Sequence, residues 1–167
     1  MKRIGMVAGA MCFALMMVNG TIAAETLKWR LSHQVIKFES IEVGDVPGHV
    51  VGVGETRGLA FFENGEIATL SVKVTIDYTN GSGPHMAYLL HTFEDGSTFV
   101  IKVQGTTTAD PGGKTAPFKG ELSFVQGNGR FAGIKGSGTY TGKRLTPAGA
   151  GALVYGDLTA AYTVSSR

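Results

Sequence analysis

A carboxylate and a guanidinium two residues apart, Glu55 and Arg57, are the side chains best placed to do chemistry together in this sequence. On a β-strand, residues i and i+2 share a face. The pair would then project the same way, an anion that polarises or takes a proton beside a cation that orients a bound molecule. Two unlike charges on an inward face need each other, because burying either alone is costly. Other chemistries find less support. His85 and His91 share strand parity, yet six residues of strand hold them about 20 Å apart, and His33 and His49 have no histidine or carboxylate at a ligand spacing. Surface or singly hydrogen-bonded histidines are therefore expected, and no metal. Gly52-x-Gly54-x-x-x-Gly58 has the look of a phosphate loop, but no helix follows to supply the N-terminus such a site needs. There is no G-x-S-x-G elbow and no Ser/His/Asp set. Trp29 and the tyrosines at 78, 88, 140, 155 and 162 fall on strands, where core packing is the first reading and stacking on a ligand the second. Asn80-Gly81-Ser82 fits a glycosylation acceptor but reads as a turn.

These residues need strands to position them, and strands are what the sequence offers. Ala68, Leu70, Val72, Val74, Ile76 and Tyr78 alternate with Thr69, Ser71, Lys73, Thr75 and Asp77, a period-two pattern with one apolar face. Asn64-Gly65 precedes it, Asp95-Gly96 separates Ala87–Glu94 from Ser97–Val103, and Asn128-Gly129 separates Phe118–Gln126 from Phe131–Tyr140. Each dipeptide suits a two-residue type I′ hairpin turn. Leu27–Phe38 opens the set and Ala152–Val164 closes it. No helical pattern, and no repeat of the length that marks a propeller or solenoid, appears after the first residues. About eight strands joined mostly by hairpins predict an all-β fold, an antiparallel barrel or a sandwich.

A two-residue turn at Asn64-Gly65 sets a register. Phe61 then faces Ala68, Leu59 faces Leu70, Arg57 faces Val72, Glu55 faces Val74 and Val53 faces Ile76. Glu55 and Arg57 are thereby expected on the inner wall with His49 further along, and Gly52, Gly54, Thr56 and Gly58 on the outer one. A bulge at Gly54 or Gly58 would reverse this. Glu55, Arg57, His49, Tyr78 and Tyr88 form the candidate cavity set. The same logic at Asp95-Gly96 pairs Leu90 with Ile101 and leaves Leu89, Phe93 and Val100 as a second apolar face, which calls for a covering element or another subunit.

The 167 residues fit one domain. Met1-Lys2-Arg3, an uncharged run from Ile4 to Val18, and Thr21-Ile22-Ala23 have the layout of a secretory leader, cleaved after Ala23 with Ala24 the second choice. The run spans about 22 Å as a helix, short of a ~30 Å bilayer core, so no stable membrane span is expected once it is removed. Cys12 lies inside the run and leaves with it, so the mature chain, 24–167, has no thiol for a disulfide, a metal or a nucleophile. Its basic and acidic residues then number 13 each, which excludes a basic nucleic-acid surface. A periplasmic or secreted location is expected.

The segments Gly96–Gly105 and Phe118–Gly136, the turn Gly127-Asn128-Gly129-Arg130-Phe131-Ala132-Gly133 with Gly136 after it, and Gly156–Tyr162 resemble the bacterial end of the allene oxide cyclase-like barrel superfamily, which includes the dirigent proteins. The likeness covers roughly residues 90–164. It implies an eight-stranded barrel, often a trimer, with a cavity for a mainly apolar ligand. The family's catalytic positions find no match in residues 24–80, and none is carried over. The functional expectation is an exported barrel binding a small, mainly apolar molecule without a cofactor. The alternatives are a cofactor-free cyclase or isomerase using Glu55 and Arg57, and a structural protein with a filled barrel.

Overall fold

The computed structural model describes residues 24–165, so the segment expected to be a secretory leader, 1–23, lies outside the described residues. Eight strands form a closed antiparallel barrel in which each pairs with its sequence neighbour and β8 closes onto β1. They are β1 (Glu25–Glu42), β2 (His49–Phe62), β3 (Ile67–Thr79), β4 (Gly83–Phe93), β5 (Thr98–Thr107), β6 (Ala116–Asn128), β7 (Lys135–Arg144) and β8 (Leu153–Thr163). Closure removes every free sheet edge, so a chain of alternating residues needs no second layer. Among the described residues no helix is long and apolar enough to cross a membrane.

The hairpin turns differ from the two-residue expectation in one shared way. At the β2–β3 turn, Phe61 pairs with Ile67 rather than Ala68. Phe62 N–H donates to Glu66 O, Gly65 N–H donates to Phe62 O, and Gly65 adopts φ +86°. The β4–β5 turn repeats this, with Phe93 N–H to Ser97 O, Gly96 N–H to Phe93 O and Gly96 at φ +80°. Both are three-residue loops in which only the glycine is left-handed. A type I′ turn would also need φ > 0 at Asn64 and Asp95, but Asn80 is the one such non-glycine among the described residues. The Asn64 and Asp95 side chains instead accept from the backbone N–H two residues on, Glu66 and Ser97. The third dipeptide makes no hairpin turn at all. Asn128 caps a 3-10 turn, Gly129–Phe131, and β7 starts only at Lys135.

Each three-residue loop slips the register by one, which exchanges inner and outer faces. On β2 the inner positions are Gly52, Gly54, Thr56, Gly58, Ala60 and Phe62, opposite Leu70, Val72, Val74 and their neighbours. On β4, Leu89, His91 and Phe93 turn inward to face Ile101 and Phe99, while Leu90 and Val100 point out. The expected second apolar face of Leu89 and Phe93 is therefore part of the core.

The interior is packed unevenly along the barrel axis. At the end carrying the β2–β3 and β4–β5 turns, aromatic rings fill the lumen. Trp29 stacks on Phe62 at 5.8 Å, His91 on Phe99 at 4.4 Å, and Phe131 lies 5.0 Å from Phe93 and 5.1 Å from Phe99. Phe131 comes from the 3-10 turn, which folds over this end as a stopper. Outside it, Arg130 lies over the Phe93 and Phe131 rings and pairs with Glu66 at 2.6 Å.

Candidate functional site

Beyond the aromatic plug the lumen opens into a cavity of about 190 Å³. Its walls are apolar along Leu31, Val72, Val74, Ala87, Val103 and Leu158, and Ala148, Gly149 and Ala152 of the β7–β8 loop lie over its mouth. Arg144 holds that loop. Its Nη1 donates to Thr146 O and, at 3.4 Å, to Lys114 O, and its Nη2 to Gly113 O at 3.2 Å, so one guanidinium ties the β5–β6 loop to the β7–β8 loop.

Two polar clusters face this cavity. On the β1–β2 wall, His33 Nδ1 and Thr56 Oγ1 are buried and have no hydrogen-bond partner among the described residues. Burial alone pushes the His33 pKa down to about 4, so its imidazole is neutral near pH 7. On the β3–β4–β5–β7 wall runs a continuous chain. Tyr78 Oη lies 2.6 Å from Thr107 Oγ1, Thr107 Oγ1 lies 3.0 Å from His85 Nδ1, and His85 Nε2 lies 2.6 Å from Tyr140 Oη. Burial lowers the His85 pKa and raises those of Tyr78 and Tyr140, so all four groups stay neutral.

The strand pairing explains why the chain closes. His85 pairs with Gly105, Gly105 with Gly120, and Gly120 with Tyr140. Two consecutive positions of that row have no side chain, so the Tyr140 ring lies across them and its hydroxyl reaches the imidazole. A Cβ at Gly105 would collide with that hydroxyl and with Lys119 O.

Of the five expected cavity residues, the structure places one in the cavity, Tyr78. Glu55 and Arg57 face outward. Glu55 pairs across the strands with Lys73, not Val74, and makes an ion pair with its ammonium. That bond holds the Glu55 carboxyl below its usual pKa. Arg57 lies opposite Ser71 and is exposed. Tyr88 is also on the outer wall, pairs with Lys73, and borders a groove shared with Glu55 and Met86. His49 sits at the rim between two carboxylates, Asp45 at 2.6 Å and Asp77 at 2.8 Å, which raise its pKa. The inward register expected for Glu55 and Arg57 is thus overturned by the three-residue loop. Arg57→Ala, expected from the inward register to destabilise by about 3–5 kcal/mol, is now expected to leave the urea midpoint of unfolding unchanged, as exposed substitutions usually do.

Three of the four histidines are not surface residues. His33 and His85 line the cavity, and fully buried His91 accepts from Trp29 Nε1 at 3.2 Å within the plug. The parity shared by residues 85 and 91 was the available signal. It places both on one face of β4, and the outward-facing Tyr88 and Leu90 mark that face as the inner one.

No protein-family model matches the chain, and no curated protein matches it by sequence. Among solved structures it is similar to the pterocarpan synthase dirigent protein GePTS1, with a TM-score of 0.52 and 14% identity over 95% of this chain and 100% of that one. At that identity the likeness is one of fold, and the fold is that of a dirigent-like, closed eight-stranded antiparallel barrel.

Proposed function

We propose that this chain is exported, with residues 1–23 as a cleaved leader, and that its barrel holds a small, neutral, mainly apolar molecule in the open half of the lumen. The observation that carries this is the pairing of an apolar cavity with unpartnered polar atoms, His33 Nδ1 and Thr56 Oγ1. A buried polar atom without a partner is costly, and a ligand group that meets it removes that cost. The neutrality of the ligand follows from the lining. Among the described residues no carboxylate borders the cavity, and Arg144 is already engaged by backbone carbonyls. The size follows from the volume, since benzene fills an engineered apolar cavity of about 150 Å³. One ring with short substituents is the scale.

Native mass spectrometry of the mature protein, released from an exporting host, tests this. The expected result is a start at Ala24 and a bound mass of a few hundred daltons or less that is lost on denaturation. A protein that retains Met1 refutes export. A chain that never carries or takes up such a molecule refutes the binding reading.

A cofactor-free isomerase or cyclase is the second reading, favoured now by the Tyr78–Thr107–His85–Tyr140 chain rather than by Glu55 and Arg57. We also propose self-association, with a trimer suggested by the family resemblance. Its support is the exposed apolar set on the outer wall, Val53, Leu59, Phe61, Ile67 and Leu90. A single-subunit mass by light scattering at high micromolar concentration would remove it.

A further inference from the structure

We propose that Tyr78, Thr107, His85 and Tyr140 form a reversible proton relay with both ends in the cavity, and that it moves a proton between two carbons of a small enolisable ketone. The inference rests on the ligand-binding reading above and gives it a reaction.

Counting protons is the first step. Three hydroxyls and one neutral imidazole carry four mobile protons, and they are joined by three hydrogen bonds. One proton is therefore left over. Three arrangements satisfy every internal bond. In one of them Thr107 accepts from both neighbours, and its own buried hydroxyl proton finds no acceptor among the described residues, a costly state. Two directional arrangements remain. In one, Tyr140 donates to His85 Nε2, His85 Nδ1–H donates to Thr107, Thr107 donates to Tyr78, and the free proton is on Tyr78. In the other every donor is reversed, His85 takes its other tautomer, and the free proton is on Tyr140. Neither tyrosine hydroxyl has another partner among the described residues, and both side chains border the cavity. The pocket thus presents a donor and an acceptor whose roles exchange together, without a charge forming on any group.

Such a device suits allylic proton transfer, because the two halves of that reaction need opposite senses. A β,γ-unsaturated ketone places its carbonyl oxygen at the donating tyrosine and its α-carbon at the accepting one. The α C–H bond breaks, its proton joins the accepting oxygen, and each proton in the chain shifts one place. The donating hydroxyl gives its proton to the carbonyl oxygen, which leaves a neutral dienol and a relay of reversed sense. In the second half the loaded tyrosine delivers its proton to the γ-carbon, forming the new C–H bond. The dienol O–H returns its proton to the other end. The product is the conjugated ketone, and the relay is back where it began. No proton is gained or lost, and no oxidant or metal enters the balance. Tyr78 and Tyr140 touch the substrate and are the catalytic residues; His85 and Thr107 act through them. The neutral lining favours this course, since a dienolate would find no free cation in the cavity among the described residues.

The probe is the β,γ-unsaturated isomer of cyclohexenone, a single neutral ring, incubated with the mature protein while the absorbance of the conjugated product is followed. Binding is read separately from the shifts of the histidine ring signals in the NMR spectrum. The expected result is protein-dependent conversion with a perturbed His85. Tyr78→Phe, Tyr140→Phe and Thr107→Val are each expected to lower kcat by about 100-fold or more. Thr107→Val removes only the middle hydroxyl and keeps the shape, so KM stays within about twofold, and Thr107→Ser restores the rate. A probe that binds and shifts His85 but is not converted overturns the relay and leaves the binding reading standing. Equal rates in Thr107→Val and the unchanged protein also overturn it. A probe that does not bind at millimolar concentration removes the substrate class and the relay's reaction with it, while the mass-spectrometric test above decides the binding reading independently.

Discussion

Lowering the pH from 7 to 4 is expected to remove about 5 kcal/mol of folding stability through two histidines alone. His91 is wholly enclosed, and burial drops its pKa to about 3; His33, on the cavity wall, falls to about 4. Each therefore stays neutral in the fold at pH values where the unfolded chain is protonated. A folded pKa below the unfolded one means stability that is complete above about pH 6.5 and falls steadily as the pH drops toward the folded value. At pH 4 the linkage costs about 3 kcal/mol for His91 and, with some allowance for solvent in the cavity, about 2 kcal/mol for His33. His85 adds to the loss in the same direction. His49 opposes it, because Asp77 and Asp45 raise its pKa; its contribution is present at low pH and disappears as the pH rises through the folded value. Urea unfolding at the two pH values measures the sum. In His91→Phe the difference between them is expected to shrink by about 3 kcal/mol. The variant also starts less stable at pH 7, since Trp29 Nε1–H loses its acceptor. An unchanged pH dependence in that variant would show that His91 is not held neutral by the plug.

The second large effect is expected at Phe99. Its side chain is 0% exposed, and its ring meets those of Trp29, Phe62, His91, Phe93, Phe124 and Phe131. Phe99→Ala deletes the centre of the plug, and closed-barrel neighbours cannot collapse far into the space. A loss of about 3–5 kcal/mol is expected from the transfer and cavity terms together, read from the urea midpoint at constant slope. The cavity lies further along the lumen. The His85 ring signals should therefore keep their positions in the folded variant. Their movement would mean that plug and cavity are one packing unit rather than two.

The strands were legible in the sequence because alternation over β3 and the Gly-containing turns need no tertiary information. Which face of β2 pointed inward was not, because Asn-Gly and Asp-Gly serve both two- and three-residue loops, and the choice is a one-residue matter that reverses every side chain. The β2 segment was ambiguous by apolar count, with Leu59 and Phe61 on one parity and Ala60 and Phe62 on the other. The charges held the better clue. The two-residue register buried Glu55 and Arg57, whereas the three-residue register buries no charge and turns three glycines and Thr56 inward. The polar chain from Tyr78 to Tyr140 was beyond reach for another reason. It joins β3, β4, β5 and β7, and its last bond depends on two glycines falling in one row across β5 and β6. Only the completed set of registers brings those residues together.

Barrel closure by β1 and β8 has a directional consequence. Glu25 pairs with Tyr162, and the Tyr162 hydroxyl donates to Glu25 at 2.7 Å, so the two described ends of the chain lie side by side at the plugged end. The cavity mouth, with its loops clasped by Arg144, is at the far end of the lumen. A tether joined to either end of the barrel, whether a fused domain or an immobilising tag, would hold the molecule like a cup on its base, with the opening turned toward the solution. A short linker joining residues 24 and 165, with new ends cut in the loop around Gly112, would invert that posture and attach the cup by its rim.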